Sequence, residues 1–222
     1  MAGSNGKQAA APRGVPPRLV TLEDILDLRA YERARDEYRR RVIELKRARR
    51  VPLGPLMTVV FESFDTVRFQ VQEMARAERI LSDGNIQAEL DVYNRLLPAA
   101  GELSATLFIE LTTEDELRQW LPKLVGIERA VGVEVGGPGS GDVAQGVPEE
   151  AHAEALTREA VTAAVHYLRF PFTGDQVGRF ATGSPALVAR HDEYQARTEL
   201  APATRAALLG DLEGRTEPLP LG

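Results

Sequence analysis

The hydrophobic period of this chain switches repeatedly between that of a helix and that of a strand, which confines it to folds that combine the two. Leu22, Ile25, Leu28, Tyr31, Ala34, Tyr38, Val42 and Leu45 recur every three or four residues, one apolar stripe on a long amphipathic helix. Thr21 suits its N-cap, Glu23 and Asp24 favour its first turn, and Pro52, Gly54 and Pro55 end it. Met57, Val59 and Phe61 then alternate with Thr58, Val60 and Glu62, as on a strand.

Asp65 or Thr66 can cap a second helix running to about Leu81, stopped by Asp83-Gly84-Asn85. Ile86 to Val92 alternates like a short strand, and Ser104 to Leu111 is a stronger one, rich in branched and aromatic side chains. Thr113 with Glu116 forms a capping-box pattern for a helix ending near Leu124. Further strands are expected at Ala130–Val135, Thr162–Phe170 and, at a sheet edge, Ala186–Arg190, with helices at 149–160, 174–182 and 202–213. The irregular alternation, and connections such as 92–104 that carry no helix, argue against a parallel βαβ sheet. The expected fold class is α+β, a single domain over 19–213 with a mixed sheet covered by helices and a long N-terminal amphipathic helix. Residues 1–18 read as a disordered tail, 136–146 as a flexible Gly/Pro loop and 214–222 as a C-terminal tail.

Several function classes drop out. No apolar run approaches the roughly 20 residues that span a bilayer, and the opening MAGSNGKQAAAPRGVPPR has no apolar core, so neither a membrane helix nor a secretory leader is expected. With no cysteine in 222 residues, disulfides, thiolate metal ligands and a cysteine nucleophile are excluded. The net charge of −6 argues against a general nucleic-acid binder, although residues 29–50 alone carry +6. That arginine-rich stretch reads either as a basic arm or as a solvated face laced with i,i+4 pairs such as Asp36/Arg40 and Glu37/Arg41. G-x-G-x-x-G, G-x-x-x-x-G-K-[ST], H-E-x-x-H and G-x-S-x-G are all absent.

What remains is a small set of polar residues in apolar settings. On the helix over 65–81, Gln72, Arg76 and Arg79 form a polar stripe with Gln70 and Glu73 beside it. Facing a cleft, the two guanidiniums could hold a carboxylate or phosphate; facing water, the stripe is an ordinary wet surface. His166 shares a strand face with Ala164, Leu168 and Phe170, where an imidazole serves as a satisfied core residue or as a ligand or acid/base. Glu62 and Glu110 each end a strongly hydrophobic strand. Converging with Glu73 and His166, they would suit a hard or borderline metal such as Mn, Fe or Zn.

The set formed by QVQEM-x-RAERI (70–80), the VHYLRF strand (165–170), ELDVYNRLLP, ATLFIEL and LVGIERAV resembles a bacterial family known only as a domain of unknown function, from about Leu19 to Tyr194. The resemblance implies a cytoplasmic protein with no established activity. It also implies a setting beside a rubrerythrin and an iron–sulfur protein of the heterodisulfide-reductase type, hence redox or peroxide-linked metabolism. Family positions fall on Glu62, Gln70, Gln72, Glu73, Arg76, Glu78, Arg79, Asn94, Glu110, His166 and Arg169. Where the family commonly has Lys-Thr-Ser, this chain has Val161-Thr162-Ala163, which counts against any mechanism needing that lysine or serine.

Two functions are therefore expected. One is an accessory or ligand-binding protein of a redox system, with a small anionic ligand or an acidic partner held by Gln72, Arg76, Arg79 and Arg169 and oriented by Glu73. The other is an oxidoreductase whose metal or haem is held by His166, with Glu62, Glu73 and Glu110 as further ligands or proton-transfer groups. Nucleic acid ranks last as a partner.

Overall fold

Two acidic side chains three residues apart, Asp24 bonding back to the cap Thr21 and Asp27 itself a cap, divide the first apolar stripe, so it does not run as one helix from Thr21. Asp24 accepts from the Thr21 amide and hydroxyl, both at 2.9 Å, and closes a single 3-10 turn over Leu22–Asp24. Asp27 accepts from the Ala30 amide at 2.9 Å and starts helix α1, Leu28–Arg47. Each side chain completes its own helix start, and the backbone between them is extended. Two carboxamides from elsewhere hold that segment. Asn94 accepts from the Val20 amide and donates to its carbonyl, both at 2.9 Å, and Gln72 does the same for Leu26 at 2.8 and 3.0 Å.

The structure, a computed structural model, describes residues 17–149, 161–215 and 217–220. Beyond α1 come β1 (Arg50–Leu53), β2 (Met57–Phe61), α2 (Phe64–Ala77), α3 (Asp83–Tyr93) and, after a 3-10 turn at Asn94–Leu96, β3 (Glu102–Ile109). The remainder is α4 (Glu114–Trp120), β4 (Val131–Glu134), β5 (Val143–Gln145), β6 (Val147–Pro148), β7 (Val165–Pro171), α5 (Gly174–Thr182), β8 (Ala186–His191), β9 (Tyr194–Glu199) and α6 (Pro202–Leu212). The fold is α+β. Its strands divide into a five-stranded sheet, ordered β1-β2-β3-β7-β6, and a four-stranded sheet, β5-β4-β8-β9. Every pairing among the described strands is antiparallel, so two antiparallel sheets stand where one mixed sheet was expected. Short turns join β1 to β2 and β8 to β9, and the glycine loop with left-handed Gly136, Gly137, Gly139 and Gly141 joins β4 to β5. Among the described residues no helix is long and apolar enough to cross a membrane.

The main core lies between the two sheets. Val59, Phe61, Leu107, Leu168 and Phe170 point from the first sheet toward Val131, Val133 and Leu187 of the second. Tyr194 fastens the sheets together: its hydroxyl donates to the Leu53 carbonyl at 2.5 Å and accepts from the Leu56 amide at 3.2 Å. Between those residues Gly54 has φ +67°, and a β-carbon there would collide with that hydroxyl. The opposite face of the five-stranded sheet is covered by α2 and α3, whose Val67, Val71 and Leu90 form a second core. Outermost, α1 packs on α2 through Tyr31, Tyr38 and Val42, with Tyr38 edge-on to Phe69 at 5.8 Å.

Three expectations are corrected. Ile86–Val92 is part of helix α3, because Ser82 accepts from the Asn85 amide and caps it, and Asp83-Gly84-Asn85 opens the helix instead of ending its predecessor. Ile86, Leu90 and Tyr93 then recur at helical spacing. Ala186–Arg190 is interior rather than an edge, since β9 pairs with it through a tight turn at Asp192-Glu193. The second helix begins from Ser63, one residue before Phe64, not from Asp65 or Thr66. The helix expected over 149–160 lies almost wholly outside the described residues.

Candidate functional site

Sheet register builds a cleft of about 340 Å³ between the five-stranded sheet and helices α2 and α3. Arg50, Val60, Thr106 and Tyr167 stand in one transverse row across β1, β2, β3 and β7. Thr58, Phe108 and Val165 form the next row. Strand alternation turns this whole set away from the main core and toward the helices. Thr66, Val67 and Gln70 of α2 form the opposite wall, Tyr93 and Leu96 close one end, and Lys46 stands at the rim. The lining is mainly apolar with a few convergent polar groups, as in small-molecule sites generally.

Glu62 is the carboxylate that lines this cleft. One carboxylate oxygen accepts from the Thr66 hydroxyl at 2.5 Å, the other from the Thr106 hydroxyl at 2.6 Å. Its backbone is fixed too: the amide donates to the Ser104 carbonyl at 2.7 Å, and its own carbonyl faces Arg49 at 3.4 Å. The carboxylate is thus held in one orientation by groups from β3 and α2, with lone pairs left over for a ligand. At the open edge Arg50 pairs with Glu110, both about half exposed. The Tyr167 hydroxyl has its pKa raised, by burial first and then by Tyr93 and Glu62, and so stays protonated.

Of the residues anticipated on the helix over 65–81, Gln70 lines the cleft, whereas Glu73 and Arg76 meet α1 and Gln72 meets the segment just before it. Glu73 accepts from the Tyr31 hydroxyl at 2.7 Å, from Arg35 at 2.8 and 2.9 Å and from Arg76 at 3.3 Å. Arg35 above all, then the Tyr31 hydroxyl, holds this carboxyl down to about 2. Arg76 also lies 3.7 Å from Glu32. Gln72 is buried and spends both ends of its amide on Leu26. Arg79 is exposed beyond the end of α2 with φ +54°. Arg169 pairs with Glu102 and donates to the Arg95 carbonyl.

His166 points into the main core, on the opposite side of the sheet from Glu62, and Glu73 and Glu110 lie elsewhere again. The four side chains anticipated as a metal set are therefore dispersed. Among the described residues no three His, Asp or Glu side chains are grouped to hold an ion. His166 Nε2 lies 2.9 Å from the Ala163 carbonyl and 3.0 Å from the Thr162 hydroxyl. Because the carbonyl can only accept, Nε2 carries the hydrogen. Burial lowers the imidazole pKa, against the pull of Glu128, so folding favours the neutral ring. The stability this contributes is present above the ordinary histidine pKa and is lost as pH falls below it. His166→Gln is therefore expected to flatten the fall in thermal midpoint between pH 7.5 and pH 5, measured by circular dichroism beside the wild type. Parallel curves would show that His166 does not titrate with unfolding.

Sequence marks Thr66 only as a candidate helix cap, and does not mark Lys46, Thr106 and Tyr167 as site residues. Their signals were present: Ser104 and Thr106 interrupt an otherwise apolar strand on alternate positions, and Glu62 and Thr66 stand four apart across a helix start. Only the register of β2, β3 and β7 shows that these positions share one surface.

The family described as "Protein of unknown function (DUF3501)" matches residues 19–212. A crystal structure of a novel protein of unknown function from Burkholderia pseudomallei K96243 is 33% identical with a TM-score of 0.79, the match covering 88% of this chain and 100% of that one. No curated protein matches.

Proposed function

The chain belongs to the family described as "Protein of unknown function (DUF3501)", and from that premise we propose that it is a small-molecule-binding protein whose ligand lies in the cleft with a hydrogen-bond donor on Glu62. The observation that carries this reading is the Glu62 carboxylate, oriented by two threonine hydroxyls from different elements beside a mainly apolar wall. A carboxylate so placed favours a cationic or strongly donating head group, such as a primary amine. Val60, Phe108, Val165 and the rings of Tyr93 and Tyr167 favour a flat or branched apolar body. Lys46 and Arg50 at the rim would accommodate an acidic group at the far end of a longer ligand. In the redox setting that the resemblance implies, binding of this kind is the contribution of an accessory protein to a rubrerythrin or an iron–sulfur partner.

The test is isothermal titration with a panel of arylalkyl and branched-alkyl primary amines, with and without a terminal carboxylate. A hydrogen bond to a charged group contributes about 1.5–3 kcal/mol, so Glu62→Gln is expected to weaken the best binder about 10–100-fold. The thermal midpoint of the unliganded variant should change little. Val60→Trp fills the cleft and should abolish binding. Binding that survives both substitutions, or a panel in which no member binds, would refute the reading.

A further inference from the structure

A second built site lies on the far side of α2, and it is occupied. Asp65 and Arg68 are 1% and 3% exposed and bonded to each other at 2.7 Å. Neither is satisfied by the other alone. Asp65 accepts from the Leu219 amide at 3.0 and 3.1 Å, and Arg68 donates to the Leu219 carbonyl at 2.6 Å. The Arg68 fork is aimed by a further bond to the Tyr38 hydroxyl at 2.9 Å and lies over the Tyr38 and Phe64 rings. One acidic and one basic side chain thus read both backbone groups of a single residue more than 150 positions away in sequence. The Leu219 side chain packs on Tyr31, Tyr38 and Val42, with Phe69 beside them. Arg41 donates to the Pro220 carbonyl at 3.0 Å.

The occupant suits the site chemically. In Pro218-Leu219-Pro220 only Leu219 has an N–H, and Asp65 takes it. A proline on each side favours the extended conformation before binding, so little chain entropy is lost on docking. Backbone bonds at the central residue and an apolar socket for its side chain are the elements of peptide recognition.

We propose that Asp65, Arg68 and the Tyr31–Tyr38–Val42 socket form a peptide-binding site that reads an extended Pro-Leu-Pro segment, filled in cis by residues 217–220. The segment is a strap that clamps α1 onto α2, and a free peptide of the same pattern competes with it.

The test is fluorescence anisotropy with a labelled peptide of sequence TEPLPL against the full chain, wild type and Leu219→Asp. The wild type, already occupied, should bind at least tenfold more weakly than Leu219→Asp, and a peptide with aspartate at its central leucine should bind neither. Leu219→Ala, a milder change with the same expected order, decides the matter if Leu219→Asp does not fold. Hydrogen exchange gives a measurement on the unaltered chain. The Leu219 amide should exchange more slowly than in the free peptide, and excess peptide should accelerate it. A folded variant that binds the peptide no better than wild type would overturn the proposal, as would a Leu219 amide that exchanges at the free-peptide rate.

Discussion

Asp211→Leu in a chain that keeps Arg49 is expected to lower the thermal midpoint by about 10 °C. The two side chains are each 3% exposed and meet through two bonds, at 2.5 and 2.9 Å. Removing one partner leaves an uncompensated buried charge, which costs about 3–5 kcal/mol. For a chain of this length each kcal/mol moves the midpoint by about 2–4 °C. Arg49→Met alone should behave similarly. The double replacement, Arg49→Met with Asp211→Leu, should recover most of the loss, because two apolar side chains of similar volume leave no charge stranded. Differential scanning calorimetry of the four chains closes the cycle, and single variants within about 2 °C of wild type would show the pair to be dispensable. Arg49 also faces the Glu62 carbonyl, so its loss should loosen the carboxylate that orients the cleft.

The second large effect belongs to Glu73 and depends on pH. Arg35, Tyr31 and Arg76 together hold its carboxyl near 2, below the ordinary 4.5. A group depressed in the folded state stabilises it above its ordinary pKa, and that stabilisation disappears as pH falls toward the folded value. Glu73→Gln is expected to cost about 2 kcal/mol at pH 7, the scale of hydrogen bonds to a charged group. The difference from wild type should shrink steadily as pH falls from about 5 toward 2. Urea unfolding at pH 7 and pH 3 measures both gaps. A gap of equal size at the two values would mean that the glutamate acts through packing alone.

Glu62 was legible as unusual, a carboxylate closing the run Met57–Phe61, and strand alternation alone put His166 on the same face as Leu168 and Phe170. Helix α2 was legible from Val67, Val71 and Met74. The polar stripe beside them was also legible, but nothing local reveals that α1 and the segment before it lie against it, with Tyr31 and Arg35 on Glu73 and Leu26 on Gln72. The misreading of Ile86–Val92 has a local cause: a Gly and an Asn inside the first helical turn mimic a stop, while the cap that decides the matter is a single serine before them. Thr106 and Tyr167 gain their meaning only from register, a long-range property that no window of sequence contains.

The cleft and the main core are opposite sides of the same three strands, and this divides the heritable variation of the protein by parity. In β2, the residue after it and β3, the even-numbered positions Val60, Glu62, Thr106 and Phe108 address the ligand side, while Met57, Val59, Phe61, Ala105 and Leu107 address the core. In β7 the parity is reversed, with Val165 and Tyr167 against Leu168 and Phe170. Ligand preference can therefore drift by substitution at one parity without repacking the interior, and the interior can be retuned at the other without altering what binds. A single-residue insertion in any of these strands exchanges the two roles at once, so lineages that diversify the cleft are expected to do so by replacement and to keep the lengths of β2, β3 and β7 constant.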